Sequence, residues 1–144
     1  MSETDLIKLY SGRILQLAAA IPHLGRLPAP GGTARRRSPL CGSTVTADVV
    51  MQGGRVADFA QDVKACALGQ ASAAVLGGVV IGRSLAELQT ARDALRAMLK
   101  DGGPVPAAPF DGYEVLLAAR DYRNRHASIL LALEATCEAV AAAE

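Results

Sequence analysis

The sequence predicts an α+β fold, in which a small antiparallel sheet of two or three strands carries helices packed on one face. Apolar residues recur with a helical period at the start, with a period of two in the middle and with a helical period again in the second half. Aromatic residues make up only 3% and Trp is absent, so the core is expected to be built from Ala, Val and Leu on closely packed helices. The 144 residues predict a single domain over positions 1–144.

An N-terminal helix is predicted from apolar side chains three or four residues apart, which are Leu6, Tyr10, Ile14 and Leu17. Ser2 or Thr4 could cap this helix, and Pro22 ends it. Residues 22–39 contain four prolines, three glycines and the consecutive arginines at positions 35–37. That composition predicts an irregular, exposed connection.

A β-hairpin is predicted next. Val45, Ala47, Val49 and Met51 alternate with polar residues, which is the pattern of a half-buried strand. The Gly53–Gly54 pair is a turn signal, and the returning strand extends towards Ala65.

The rest of the chain predicts helices. One covers Ala67–Ile81, and a capping-box sequence from Ser84 to Glu87 opens another that runs to about Leu99. A loop over positions 101–110 precedes a short helix over 111–119. A long C-terminal helix is then expected from about His126 to Ala143.

The charge balance excludes some functions. Fifteen basic and fourteen acidic side chains give a net charge of +1, so no global field favours nucleic acid or a membrane surface. The acidic start lacks the basic region of a secretory signal, and the most apolar run, residues 65–82, is interrupted by glycines. We therefore expect a cytoplasmic protein that binds neither nucleic acid nor membranes.

Three cysteines, Cys41, Cys66 and Cys137, are an odd number, which favours free or metal-bound thiols over a disulfide framework. Cys41 lies in a turn before a predicted strand. Cys66 lies where a strand meets a helix, and the partial positive charge of a helix N-terminus favours thiolate. The same field at the last helix favours neutral imidazole at His126, the form that binds metal. Cys137 lies among apolar helical residues and is predicted to be a buried structural residue.

Several motifs resemble the NifU/IscU-type iron–sulfur cluster scaffold proteins. The stretch around Cys41, from Arg37 to Ser43, is similar to that family's first cysteine motif, and Lys64–Ala73, around Cys66, is similar to the second. The segment Ile81–Glu87 is similar to the one that opens the next helix in the family. The residues around His126 occupy the place of the third cysteine motif, and the extra length before them is similar to the SufU-like subgroup.

This resemblance implies a non-enzymatic role in iron–sulfur cluster assembly. It implies that Cys41 and Cys66 bind iron, a cluster or zinc and accept sulfur from a cysteine desulfurase, with His126 as a further ligand. The resemblance also implies transfer of the assembled cluster to apo-proteins that need one.

Two departures from the family pattern leave alternatives open. Ala127 stands where the third cysteine is expected, and Ser43 where the aspartate of the first motif is expected. Cys41, Cys66 and His126 could hold zinc with water or an acidic side chain such as Asp62 as the fourth ligand. Two chains could instead share a cluster through four cysteines. The third alternative is a metal-free module that binds or regulates a desulfurase.

Overall fold

The computed structural model describes residues 11–39 and 42–144, and its fold is the predicted α+β arrangement. Three antiparallel strands lie in the order β1-β2-β3, with the bounds Gly32–Arg37, Thr44–Gln52 and Arg55–Lys64. The helices are α1 (Gly12–Ala19), α2 (Ala67–Gly77), α3 (Leu85–Lys100), a 3₁₀ helix (Phe110–Ala119) and α4 (Arg123–Ala143).

The prediction of an irregular connection is wrong over Gly32–Arg37, because this segment forms β1. It pairs with β2 so that Arg35 lies opposite Thr46 and Arg37 opposite Thr44. Gly32 and Ala34 are buried, whereas the arginines are exposed. The strand forms because it pairs with β2, and the composition of residues 32–37 gives no indication of that pairing.

The β2–β3 hairpin confirms the turn signal in the sequence. Gly53 and Gly54 both have positive φ angles, 61° and 76°, which residues with a Cβ rarely adopt. Two consecutive residues with positive φ are typical of a type I′ turn, whose twist matches the twist of the two strands in a two-residue hairpin.

Helix ends follow the predicted capping only in part. The capping box that opens α3 is confirmed, since Ser84 Oγ accepts the Glu87 N–H and the Glu87 carboxylate accepts the Ser84 N–H. α2 ends at Gly77 rather than Ile81, and α4 begins before His126. Ser11 caps α1, and the predicted capping and apolar residues Ser2, Thr4, Leu6 and Tyr10 lie outside the described residues.

The core lies where α4 crosses one face of the sheet against β1 and β2, with α2 and α3 on its flanks. By length and hydropathy α4 could cross a membrane, but 67% of its most apolar window is buried inside the fold. That burial is typical of the central helix of a globular core.

A short strap, residues 23–27, lies against the sheet on the other side. Its Arg26 guanidinium binds the buried Asp48 carboxylate with N···O distances of 2.6 and 3.2 Å, and Leu27 N–H donates to the same carboxylate at 3.1 Å. Leu24 bridges Gln61 at the outer edge of β3. The strap therefore covers the β3 edge of the sheet at Gln61.

Candidate functional site

Cys66 lies at the junction between β3 and α2, as the sequence predicts. It is the N-cap residue of α2, its side chain makes no capping hydrogen bond, and it is partly exposed. Its Sγ lies 3.6 Å from the Oγ of Ser128, which is within hydrogen-bonding distance for sulfur. The thiol therefore faces α4 and remains accessible from outside.

Ser128 connects this thiol to a second hydroxyl. Its Oγ lies 3.1 Å from Ser43 Oγ, and both serines are buried. Gly69 makes the approach possible, because a Cβ there would come within 2.7 Å of Ser128 Oγ. Ser43, Cys66 and Ser128 thus converge from the start of β2, the start of α2 and the first half of α4, and we call them the thiol–hydroxyl cluster.

Cys41 itself lies outside the described residues, but residues on both sides of it are anchored at the cluster. Ser38 N–H donates to Ser43 O at 2.8 Å, and Gly42 N–H donates to Ser38 O at 3.0 Å. Ser38 and Ser43 are both buried, and Gly42 has a positive φ of 71°. Ser38 and Ser43, which flank Cys41 in the sequence, are therefore hydrogen-bonded to each other at the cluster.

The structure does not bring His126 to Cys66. The His126 ring is buried, and its Nε2 lies 2.9 Å from Arg120 O and 3.2 Å from Ala119 O, so Nε2 carries the proton. His126 precedes Ser128 by two residues, which is about 200° around an α-helix. It lines a cavity of about 240 Å³ with Lys100, Asp101 and Arg123 instead. Its role as a ligand stays a prediction.

Asp62 lies on β3 opposite Thr46, and the structure does not bring it to the cluster either. It lines a polar pocket of about 130 Å³ whose other residues are Arg26, Arg35, Thr44, Thr46 and Lys64. α4 and Ser128 lie across the opposite face of the sheet, so the fourth-ligand role of Asp62 also stays a prediction.

Comparison with solved structures identifies the family. No protein-family model and no curated protein matches the sequence. The N-terminal part of a nitrogen-fixing NifU-like protein from Brucella abortus is 43% identical, with a TM-score of 0.93 and 96% of each chain covered. The chain belongs to the NifU-like family.

Two other solved structures share the fold. An iron–sulfur cluster assembly scaffold protein assigned to the SUF system of Fervidobacterium islandicum AW-1 is 20% identical. Its TM-score is 0.79, and the match covers 90% of this NifU-like chain and 94% of the other. A hypothetical protein solved at 2.3 Å is 25% identical, with a TM-score of 0.80 and coverage of 94% and 98%.

Sequence reasoning on this NifU-like chain missed Ser128. The sequence comparison set Ala127 at the third-cysteine position, but the side chain that α4 presents to Cys66 is that of Ser128, one residue further on. The local signal is weak, because Ser128 follows the polar stretch that begins α4 and nothing in that stretch singles it out. Which side chain of α4 faces α2 depends on how the helix is rotated about its axis. The apolar periodicity of the sequence does not define that rotation to within one residue.

Cys137 confirms the prediction of a buried structural thiol. It lies in the second half of α4, and burial raises its pKa to about 11, so it stays protonated and unreactive at neutral pH. Within residues 11–39 and 42–144, no three His, Cys, Asp or Glu side chains form a group that could hold a metal ion. Among the described cysteines, Cys66 is therefore the one that can act chemically.

Proposed function

We propose that this chain is an iron–sulfur cluster assembly protein that binds iron, a nascent cluster or zinc through Cys41 and Cys66. The observation that carries the proposal is the partly exposed Cys66 at a helix N-terminus, linked through Ser128 to Ser43, which follows Cys41 by two residues in the sequence. The 43% identity to a NifU-like protein, over nearly the whole of both chains, supports it. So does the shared fold of the SUF scaffold protein.

Sulfur acceptance would use the Cys66 or Cys41 thiolate as the nucleophile. The thiolate attacks the outer sulfur of a persulfide on a cysteine desulfurase, and a new S–S bond forms. The original S–S bond breaks, and the donor cysteine leaves as a thiolate. The persulfide now on this chain can pass its outer sulfur to a thiolate of a client apo-protein by the same exchange, and two electrons from an external dithiol reductant would release that sulfur as sulfide for a cluster. No small substrate is turned over, so the chain is a carrier and not an enzyme.

The ligand count limits how a cluster could be held. A two-iron cluster usually takes four thiolates, and one chain offers two. The Ser43 and Ser128 hydroxyls are neutral and already hydrogen-bonded to each other, so they are weak ligands. We therefore propose transient binding by one chain, or a cluster shared between two chains in a homo-oligomer. With a single metal ion, we propose that the same site binds zinc through Cys41, Cys66 and ligands from solution.

Metal content of the protein purified without oxygen tests this proposal. We expect about one zinc or iron per chain, and loss of that metal in Cys41→Ala and in Cys66→Ala. Cys137→Ala is the matched control, because it removes a thiol that lies away from the cluster. An unchanged metal content in both Cys41→Ala and Cys66→Ala would contradict the proposed site.

A metal-free partner-binding module is the second candidate, and the Ser43–Ser128 hydrogen bond favours it. The two hydroxyls share one hydrogen bond, so they lie together in the fold with no ion between them. This candidate predicts that protein stripped of metal binds a cysteine desulfurase as tightly as metal-loaded protein. Calorimetric titration of the desulfurase with both forms distinguishes the two candidates.

A further inference from the structure

The two edges of the sheet differ. The outer edge of β3 is occupied at two points. Gln61 exchanges backbone hydrogen bonds with Gly25 and His23 at 2.8 and 2.9 Å. Val56 exchanges them with Gly82 and Arg83 at 2.8 and 2.9 Å. β1 pairs only with β2, and within the described residues no strand or bridge occupies its other side. Part of the β1 backbone therefore offers N–H and C=O groups to a further strand.

The open edge also carries a regular charge pattern. Residues two apart in a strand point to the same face, so Arg35 and Arg37 share one face and Arg36 points to the other. Arg36 pairs with Glu138 of α4 at 3.2 Å. Arg35 and Arg37 are exposed and form no ion pair with any residue in 11–39 or 42–144.

We propose that the open edge of β1 binds an extended acidic segment of a partner protein as a fourth strand, with alternate carboxylates on Arg35 and Arg37. Strand addition supplies backbone hydrogen bonds, and the side chains set the specificity. Alternate residues of a strand are about 7 Å apart, so acidic side chains at alternate positions match the two guanidinium groups in spacing as well as in charge. Arginine and carboxylate can also pair through two parallel hydrogen bonds.

The same arginines disfavour two other occupants. A second copy of this chain would bring like charges together along the edge, which destabilises the pairing. A nucleic acid needs several cations and stacking side chains, and this edge has two free cations and no aromatic residue among Gly32–Arg37. β1 ends at Arg37, and the next residue, Ser38, is hydrogen-bonded to Ser43 of the thiol–hydroxyl cluster, so the docked segment would lie beside that cluster. The inference does not depend on whether that cluster binds metal.

Fluorescence polarisation with a labelled peptide of about ten residues, with glutamate and threonine alternating, tests the charge match. We expect the double variant Arg35→Glu/Arg37→Glu to bind about tenfold more weakly than the wild type. Lys100→Glu/Arg123→Glu is the matched control, since it makes the same charge change at two exposed cations elsewhere. Equal weakening in both double variants, or no binding by the wild type, would overturn the proposal.

A second peptide tests the strand pairing separately from charge. Methylation of alternate backbone nitrogens removes ladder hydrogen bonds without changing the carboxylates, and we expect it to weaken binding about fivefold or more. Binding that survives methylation would mean that only charge attracts the peptide, and strand addition would be rejected. A single-stranded oligonucleotide that binds more tightly than the peptide, and depends on Arg35 and Arg37, would also overturn the proposal.

Discussion

Ser128 decides what the thiol–hydroxyl cluster can hold. Its Oγ lies within reach of both Cys66 and Ser43, so a thiol in its place would stand where a third soft ligand could act. We predict that Ser128→Cys increases the zinc or iron retained per chain and slows its loss to a chelator, because thiolate binds these metals far better than a neutral hydroxyl. Elemental analysis after dialysis measures the first effect, and a chelator time course the second.

Ala127→Cys is the control for that experiment. It introduces the same thiol one residue earlier on α4, about 100° away around the helix. We expect its metal content to match that of the wild type. A gain in Ala127→Cys with none in Ser128→Cys would mean that Ala127 holds the third ligand position, as the sequence comparison alone suggested.

At Gly32 the backbones of β1 and α4 are in close contact. A Cβ at this position would overlap the carbonyl oxygen of Ala139 and lie 2.8 Å from the amide nitrogen of Ala143. We predict that Gly32→Ala lowers the free energy of unfolding by about 1 to 3 kcal/mol, because the clash is with backbone that cannot rotate away. Urea unfolding followed by circular dichroism measures the change.

Gly12→Ala serves as the comparison for Gly32→Ala. Nothing lies within 4 Å of a Cβ at Gly12, which is the first residue of α1. The free energy of unfolding should stay within about 1 kcal/mol of the wild type or rise. If both variants lost the same stability, the contact between β1 and α4 would not be the cause.

At the scale of elements, the strap is joined to the sheet by backbone hydrogen bonds at Gln61 and by one buried carboxylate, that of Asp48. Burial alone would raise the pKa of Asp48, but hydrogen bonds from Arg26, Thr33 and Leu27 outweigh that effect and hold the pKa below its usual range. The folded-state pKa is therefore below the unfolded value of about 3.9. The resulting stabilisation is complete above about pH 4 and is lost as the pH falls through the folded-state pKa.

We predict that Asp48→Asn lowers the free energy of unfolding by about 1 to 3 kcal/mol at neutral pH, since charged hydrogen bonds to a buried group are lost. The difference from the wild type should shrink as the pH falls below about 4, because the unfolded wild-type chain then binds a proton that the folded carboxylate takes up only at lower pH. Urea unfolding between about pH 7 and pH 2.5 measures it. Asp121→Asn, at an exposed position, should show neither effect, and a difference for Asp48→Asn that stays constant with pH would contradict the assignment.

Elements with local signals were predictable, and elements defined by distant partners were not. The Gly53–Gly54 turn and the Ser84–Glu87 capping box involve neighbours in sequence, and both are present as predicted. β1 contains exposed arginines and follows a proline-rich stretch, so nothing local identifies it as a strand. β1 is a strand because it pairs with β2, and that pairing is visible only in the folded chain.

At the scale of the whole molecule, the candidate site combines segments that are far apart in the sequence. Ser43 and Ser128 are 85 residues apart, and Cys66 and Ser128 are 62 apart. The sequence could indicate Cys66, because a thiol between a strand and a helix is a local feature. It could not assign Ser128 or exclude His126 from the cluster, because both depend on how α4 rotates against the sheet and α2.

The difference between the two sheet edges has a consequence for self-assembly. Fibrils grow from sheets when each added copy presents a fresh edge for the next. Within the described residues, the β3 edge is hydrogen-bonded to the strap at Gln61 and to Gly82 and Arg83 at Val56, so β1 is the edge at which a second copy could join, and both open edges would then be used up. Growth would stop at a pair. The chain can therefore keep one edge of its sheet available without becoming a template for polymers.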